Sequence, residues 1–242
     1  MPRAEQLLLN LRPRPDARLG DFAGASYAGV MDAVGNLLRS PDSLLFIHGV
    51  AGSGRSHLLS AICTAREEGG GAAVLLPLQE LREEDPGLLQ GLEAQDLLAC
   101  DDVEAIAGHA AWEEALFHLF NRVRAAGGRL VFASSRPPRE AGFRLPDLAS
   151  RLALAPCWEL GLPDDGSRQA LLARAIERRE IDLDQDVLRY LALRGPRTPG
   201  GLMALVEGLD KGSLQAGRRL TIPFARKVLE ALPANGREAS SG

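Results

Sequence analysis

Leu44-Leu45-Phe46-Ile47-His48-Gly49-Val50-Ala51-Gly52-Ser53-Gly54-Arg55-Ser56-His57-Leu58-Leu59 is the stretch that decides how this chain folds. Its first four residues are apolar without a break, the mark of a strand buried on both faces. Three glycines then fall within six residues. Apolar side chains return at Leu58, Leu59, Ile62 and Cys63, which is helical spacing.

A strand, a glycine-rich turn and a helix carrying Gly49-x-x-x-x-Gly54-Arg55-Ser56 together form a phosphate-binding loop. The glycines let backbone N–H groups converge on phosphate oxygens where no Cβ obstructs the approach. The positive end of the following helix adds to the same spot. The candidate nucleotide-binding residues are Gly49, Ala51, Gly52, Ser53, Gly54, Arg55, Ser56 and His57, and the Ser56 hydroxyl is placed to hold Mg²⁺. Arg55 stands where lysine is usual. A planar guanidinium pairs with phosphate but places no compact point charge between two phosphate groups. Binding of ADP or ATP is therefore expected to survive, and the chain's own hydrolysis to be weak.

A second element lies about 45 residues downstream. Leu97-Leu98-Ala99-Cys100-Asp101-Asp102 is an apolar strand that ends in two carboxylates. Asp101 is placed to hold Mg²⁺ through water, and Asp102 to orient an attacking water. A strand ending in Asp-Asp is weak by itself; with the phosphate loop upstream it is strong.

Further strands are expected at 73–76, 96–100, 130–133 and 158–162, separated by helical patterns such as 112–124 with Leu116, Phe117, Leu119 and Phe120. Five strands alternating with helices predict an α/β fold, a five-stranded parallel sheet flanked by helices. Beyond Pro163 the strands stop. Helices are expected at 168–180, 184–194, 201–215 and 223–232, a small α-helical lid. The domain boundaries read as a flexible arm at 1–25, a nucleotide-binding α/β domain at 26–163, the lid at 164–233 and a disordered tail at 234–242.

Composition narrows the class. At 242 residues, 45% hydrophobic and 25% charged, the chain has material for a real core. No apolar run approaches the roughly 20 residues of a membrane span, and the N-terminus lacks a secretory h-region. A cytoplasmic protein with no membrane role is expected. Cys63, Cys100 and Cys157 are read as buried free thiols, and His48, His57, His109 and His118 lack metal-ligand spacing. A net charge of −4 and a pI of about 5.7 argue against a basic DNA-gripping face. Contact with DNA is expected only indirectly, through partners.

Three later stretches carry a resemblance. Leu130-Val131-Phe132-Ala133-Ser134-Ser135-Arg136-Pro137-Pro138, Leu145-Pro146-Asp147-Leu148-Ala149-Ser150-Arg151-Leu152 and Leu220-Thr221-Ile222-Pro223-Phe224 resemble the AAA+ domain of the DnaA family, and more closely its shorter Hda branch. The likeness runs from residue 26 to 232. It implies that Ser134 or Ser135 is the sensor at the tip of the fourth strand. It also implies that Arg151 is an arginine finger inserted into a neighbour's nucleotide site. An always-charged fork suits a γ-phosphate whose charge shifts during transfer. Relatives carry a second sensor arginine at the start of a lid helix; the nearest basic residue here is Arg197. DnaA continues into a helix-turn-helix module that reads origin DNA, whereas this chain closes shortly after its last lid helix, so an initiator role is not expected.

Gln6-Leu7-Leu8-Leu9-Asn10-Leu11 resembles the peptide with which the Hda branch binds the DNA polymerase III sliding clamp (its beta subunit), and implies Gln6, Leu7, Leu9 and Leu11 as clamp contacts. The family implies regulatory inactivation of DnaA. A nucleotide-bound, clamp-docked protein presents Arg151 to ATP held by DnaA, and re-initiation of replication is suppressed. The alternatives are a helicase-loader-like ATPase and a non-catalytic clamp-tethered scaffold; homo-oligomer formation is left open.

Overall fold

The structure is a computed structural model that describes residues 17–216 and 220–232, without the side chains of 213–216. Gln6, Leu7, Leu9 and Leu11 lie outside the described residues, as does the tail at 234–242. The chain divides into two compact units, one reaching Leu160 and the other beginning again at Gly161; Gly20–Ala28 and Gly52–Gly54 group with the second.

In the first unit five strands form one sheet. They are β1 (Leu44–His48), β2 (Ala73–Pro77), β3 (Leu97–Asp101), β4 (Arg129–Ser134) and β5 (Cys157–Glu159). Their order is β2-β3-β4-β1-β5 and every pairing is parallel. α1 (Ala28–Arg39) precedes the first strand; parallel neighbours need crossover segments, which the intervening helices supply: α2 (Arg55–Glu68), the single turn α3 (Leu78–Leu81), α4 (Ala110–Ala125) and α5 (Pro146–Leu152). β3 and β4 are buried along their whole length, which explains the unbroken apolar runs at 97–100 and 130–133 within them.

The core between the sheet and α4 is aromatic at its centre. Phe132 stacks between Phe46 and Phe120, with ring centroids 6.3 and 6.2 Å away. Trp112 is buried beside Leu116, Leu119 and Val123, and its indole N–H donates to the Arg82 carbonyl at 3.0 Å. Because all five strands run the same way, their C-terminal ends share one rim. His48 is in register with Ser134 and with Glu159, and Pro77 with Asp101.

Two expectations are corrected here. Cys63 and Cys100 are buried, but Cys157 is exposed, because β5 is the short outer strand of the sheet. β5 also ends at Glu159 and not at Leu162, although the Leu160 N–H still donates to the His48 carbonyl at 2.6 Å.

The second unit holds α6 (Asp165–Arg178), α7 (Gln185–Arg194), α8 (Pro199–Ala216) and α9 (Ile222–Ala231). Asp164 caps α6 by accepting the Ser167 N–H at 2.7 Å, and proline opens α8 and α9, where its fixed φ and missing N–H cost nothing. Leu171, Leu172, Leu191, Leu202, Leu205 and Leu209 face one another in a separate apolar core. Residues 17–25, read from sequence as the end of a flexible arm, are instead folded. Asp21 and Phe22 are buried. Asp21 pairs with Arg178 of α6 at 2.6 Å, and Phe22 meets Tyr27 edge to face at 5.3 Å.

Candidate functional site

The rim formed by the C-terminal ends of β1, β3 and β4 carries Arg55, Ser56, Asp101, Asp102, Ser134 and Ser135 among the residues that the sequence picked out. Ligands of open α/β sheets bind outside these ends, where the strand order turns back on itself. Here β1 lies between β4 and β5 and is such a point.

The loop leaving β1 is tied to the sheet by its first residue, whose N–H donates to the Ser134 carbonyl at 3.2 Å. Gly52 has φ 79° and Gly54 φ 100°. L side chains rarely adopt either conformation, so the glycines at these two positions are needed for the turn itself. Ser53 is fully buried and its hydroxyl has no hydrogen-bond partner among the described residues. A buried orphan hydroxyl in a glycine loop at a helix start fits an anionic phosphate group. His57 is buried in the first turn of α2, while Ala51 is exposed on the loop.

Arg55 does not reach into open solvent. Its Nη1 donates to the Gly49 carbonyl at 2.7 Å and its Nη2 to Asp102 Oδ1 at 3.3 Å. One guanidinium therefore joins the phosphate loop to the end of β3. The Ser56 hydroxyl is hydrogen-bonded to Asp101, and Asp101 Oδ1 accepts the Asp102 N–H at 3.0 Å. Burial raises the Asp101 carboxyl above its ordinary value, against the Ser56 and backbone hydrogen bonds. Burial, and then the charge of Asp101, push Asp102 up to about 6 despite Arg55. A hydroxyl beside two carboxylates that resist sharing negative charge is a donor set whose chemistry fits Mg²⁺, which Ser56 and Asp101 would hold.

Asp102 stands in the left-handed region, φ 48° and ψ 49°. That is uncommon for a residue with a side chain, though aspartate tolerates it better than most. The turn that follows brings in Glu104, which the sequence reading missed. Glu104 Oε1 accepts the Ser135 N–H at 2.7 Å, and the Ser134 and Ser135 hydroxyls bond the same carboxylate. Burial would raise its pKa, but these hydrogen bonds outweigh it and the net shift is downward. The two sensor candidates are thus held together by one acid, whose other oxygen is buried and unpartnered. The signal was an acid three positions after Asp101, one short turn away.

Arg151 lies on α5, whose Leu148 and Leu152 face the core. Arg151 itself is exposed, and no ion pair of its side chain occurs among the described residues. A second residue missed from sequence sets this helix. Glu113 is only 1% exposed, and it accepts N–H groups from Gly108 at 2.6 Å, Arg144 at 2.9 Å and Leu145 at 2.6 Å. A buried carboxylate at the start of a helix also faces its positive end. In the second unit Arg197 is exposed in the turn before α8, whereas Arg168 is buried and donates to the Ala192 carbonyl.

Comparison with known proteins agrees with this fold. The bacterial DnaA ATPase domain family matches residues 79–156, and the lid domain family of Hda matches residues 164–229. The fold is similar to domain III of the Thermotoga maritima replication initiation protein DnaA, with a TM-score of 0.77 at 21% identity over 90% of this chain and 97% of that one. AMPPCP-bound DnaA from Aquifex aeolicus gives a TM-score of 0.70 at 22% identity, over 93% and 71% of the two chains. The RuvB Holliday junction branch migration motor of T. maritima gives 0.65 at 18% identity, over 92% and 73%. The chain is an Hda-like, DnaA-homologous protein, an AAA+ α/β domain followed by a helical lid of the Hda type.

Proposed function

We propose that this protein is a regulator of the replication initiator DnaA that acts on nucleotide held by DnaA. Its own phosphate loop takes ADP or ATP, with Ser56 and Asp101 holding Mg²⁺. AMPPCP bound to two DnaA relatives of the same fold supports an adenine nucleotide. Arg151 enters the nucleotide site of DnaA and stabilises charge at the transferring γ-phosphate. A finger supplied in trans is worth about 10³–10⁵ in rate. Gln6, Leu7, Leu9 and Leu11 dock the protein on the DNA-loaded sliding clamp, so DNA is met only through the clamp. DnaA is left with ADP, and a second round of initiation is suppressed.

The observation that carries this reading is the exposed Arg151, without an ion pair among the described residues, on a helix anchored by Glu113, in a chain that matches the DnaA ATPase domain and the Hda lid. The helicase-loader alternative needs vigorous hydrolysis by the chain itself. Arg55 in place of lysine, already engaged by Asp102, does not favour that.

The test is hydrolysis of DnaA-bound ATP, with and without clamp on DNA, by wild type, Arg151→Ala and Gln6→Ala. Stimulation by wild type should need the clamp and disappear in both variants. If wild type adds nothing beyond its own hydrolysis, the proposal fails; if only Gln6→Ala matters, the protein is a scaffold.

A further inference from the structure

We propose that the groove between α1, the start of β1 and β5 is a parking site for the chain's own leucine-rich arm, residues 6–11. The groove has a volume of about 450 Å³, within the roughly 300–1,000 Å³ of pockets that bury a ligand. Leu37, Leu44, Leu154, Pro156 and Trp158 line it. Trp158 lies against bare backbone: a Cβ on Gly29 of α1 would come within 2.5 Å of its ring. The ring is thereby held in place, yet it is 39% exposed, and Leu154 is 65% exposed. Large apolar side chains exposed together in one groove mark a surface that binds an apolar partner.

The chain supplies that partner itself. Of the stretches outside the described residues, only 1–16 carries a cluster of large apolar side chains, at Leu7, Leu8, Leu9 and Leu11. Its end is well placed. Arg18 pairs with Glu68, the last residue of α2, at 3.5 Å. α2 begins at the C-terminal end of β1 and runs back, so its last turn and the groove share the N-terminal rim of the sheet. Arg66 in that turn pairs with Asp96, which leads into β3, two strand spacings or about 10 Å from β1. The chain from Leu11 to Ala17 spans up to about 20 Å when extended, which covers the gap. Charge agrees. Arg124 of the groove is held by Asp42 at 2.7 Å, whereas Asp32 has no ion pair among the described residues and is free to receive Arg12 or Arg14.

Parking regulates the clamp contact and rests on the proposal above that residues 6–11 make it. A tethered segment meets its site at an effective concentration in the mM range, so a Kd of about 0.1 mM for the free segment keeps the arm docked in about nine of ten molecules. The same leucines cannot fill groove and clamp together. Apparent clamp affinity is therefore about ten-fold weaker than that of an unparked arm.

Two measurements on the full chain test this. Trp112 is buried, so acrylamide quenching of tryptophan fluorescence reads mainly Trp158. The double variant Leu9→Ser, Leu11→Ser should be quenched more strongly than wild type and emit at longer wavelength. Equal quenching overturns the proposal. Shielding of Trp158 that is lost on dilution assigns the groove to the arm of a second copy and overturns it too. In titration with the clamp, Leu154→Arg, a change at an exposed position, should bind about ten-fold tighter than wild type. A measurable but unchanged clamp affinity overturns the regulation. No clamp binding by either protein overturns the clamp reading beneath it, and the quenching result then decides the parking site alone.

Discussion

Glu113 Oε2 accepts the N–H of Leu145 at 2.6 Å, so a buried acid on α4 fixes the residue from which the Arg151 helix starts. Glu113→Gln keeps the shape but replaces charge-assisted acceptors by a single neutral one. Hydrogen bonds to charged groups contribute about 1.5–3 kcal/mol each. Loss of about 2–3 kcal/mol is expected in urea unfolding, together with weaker stimulation of DnaA-bound ATP hydrolysis. Affinity for labelled ADP should not change; if it falls with the stimulation, Glu113 does more than set α5.

Glu104 gives the fold an acid-sensitive element. Its carboxyl lies below the ordinary 4.5 in the folded protein. The unfolded chain therefore binds more protons as pH falls through that window, and the stability Glu104 contributes is fully present above 4.5 and lost below it. Glu104→Gln should lower Tm at pH 7 and show a shallower fall of Tm between pH 5 and pH 3.5. An unchanged slope would remove Glu104 from the account of acid unfolding.

The three thiols should separate by reactivity. Burial pushes Cys63 and Cys100 up to about 12, leaving at pH 8 about one thiolate in 10⁴ even before access is considered. Cys157 is raised as well, by partial burial, but sits exposed on the outer strand. Titration with an aromatic disulfide at pH 8 should count one thiol in the native protein and three in denaturant. Two fast thiols in the native state would contradict the packing around β3 or α2.

Gly54→Ala tests the phosphate loop. Alanine at φ 100° is strained, at a cost on the order of 1–3 kcal/mol. If the loop relaxes to relieve this, binding of labelled nucleotide should weaken by at least about ten-fold, while far-ultraviolet circular dichroism stays native. Unchanged affinity would show that this φ is not needed for the ligand.

Legibility in the sequence tracked how local each signal was. The β1 run, the glycine loop and the Asp101-Asp102 ending were readable because each is a short pattern with its own physical reason. The four helices after Gly161 were readable from apolar spacing alone, within a few residues at each end. What escaped depends on contacts across the chain. Glu104 and Glu113 act by accepting N–H groups about 30 residues away, and no periodicity marks such a carboxylate. Phe22 was hidden by its Pro- and Arg-rich surroundings, and the exposure of Cys157 follows from strand order, which an apolar context does not disclose. The partner of Arg55 was likewise invisible, although its departure from lysine was plain.

The strand order also bears on how the molecule is made. β1 is the first strand to be synthesised, yet its neighbours are β4 and β5, and Leu44 finds its partner only at Leu130. At about 5–20 residues per second, a ribosome needs on the order of 4–17 s to cover that gap. For that interval Leu44-Leu45-Phe46-Ile47 leaves the exit tunnel as a sticky segment with no sheet to join. Slowed elongation or scarce holdase chaperone should therefore reduce the yield of soluble protein before it changes any property of the finished molecule.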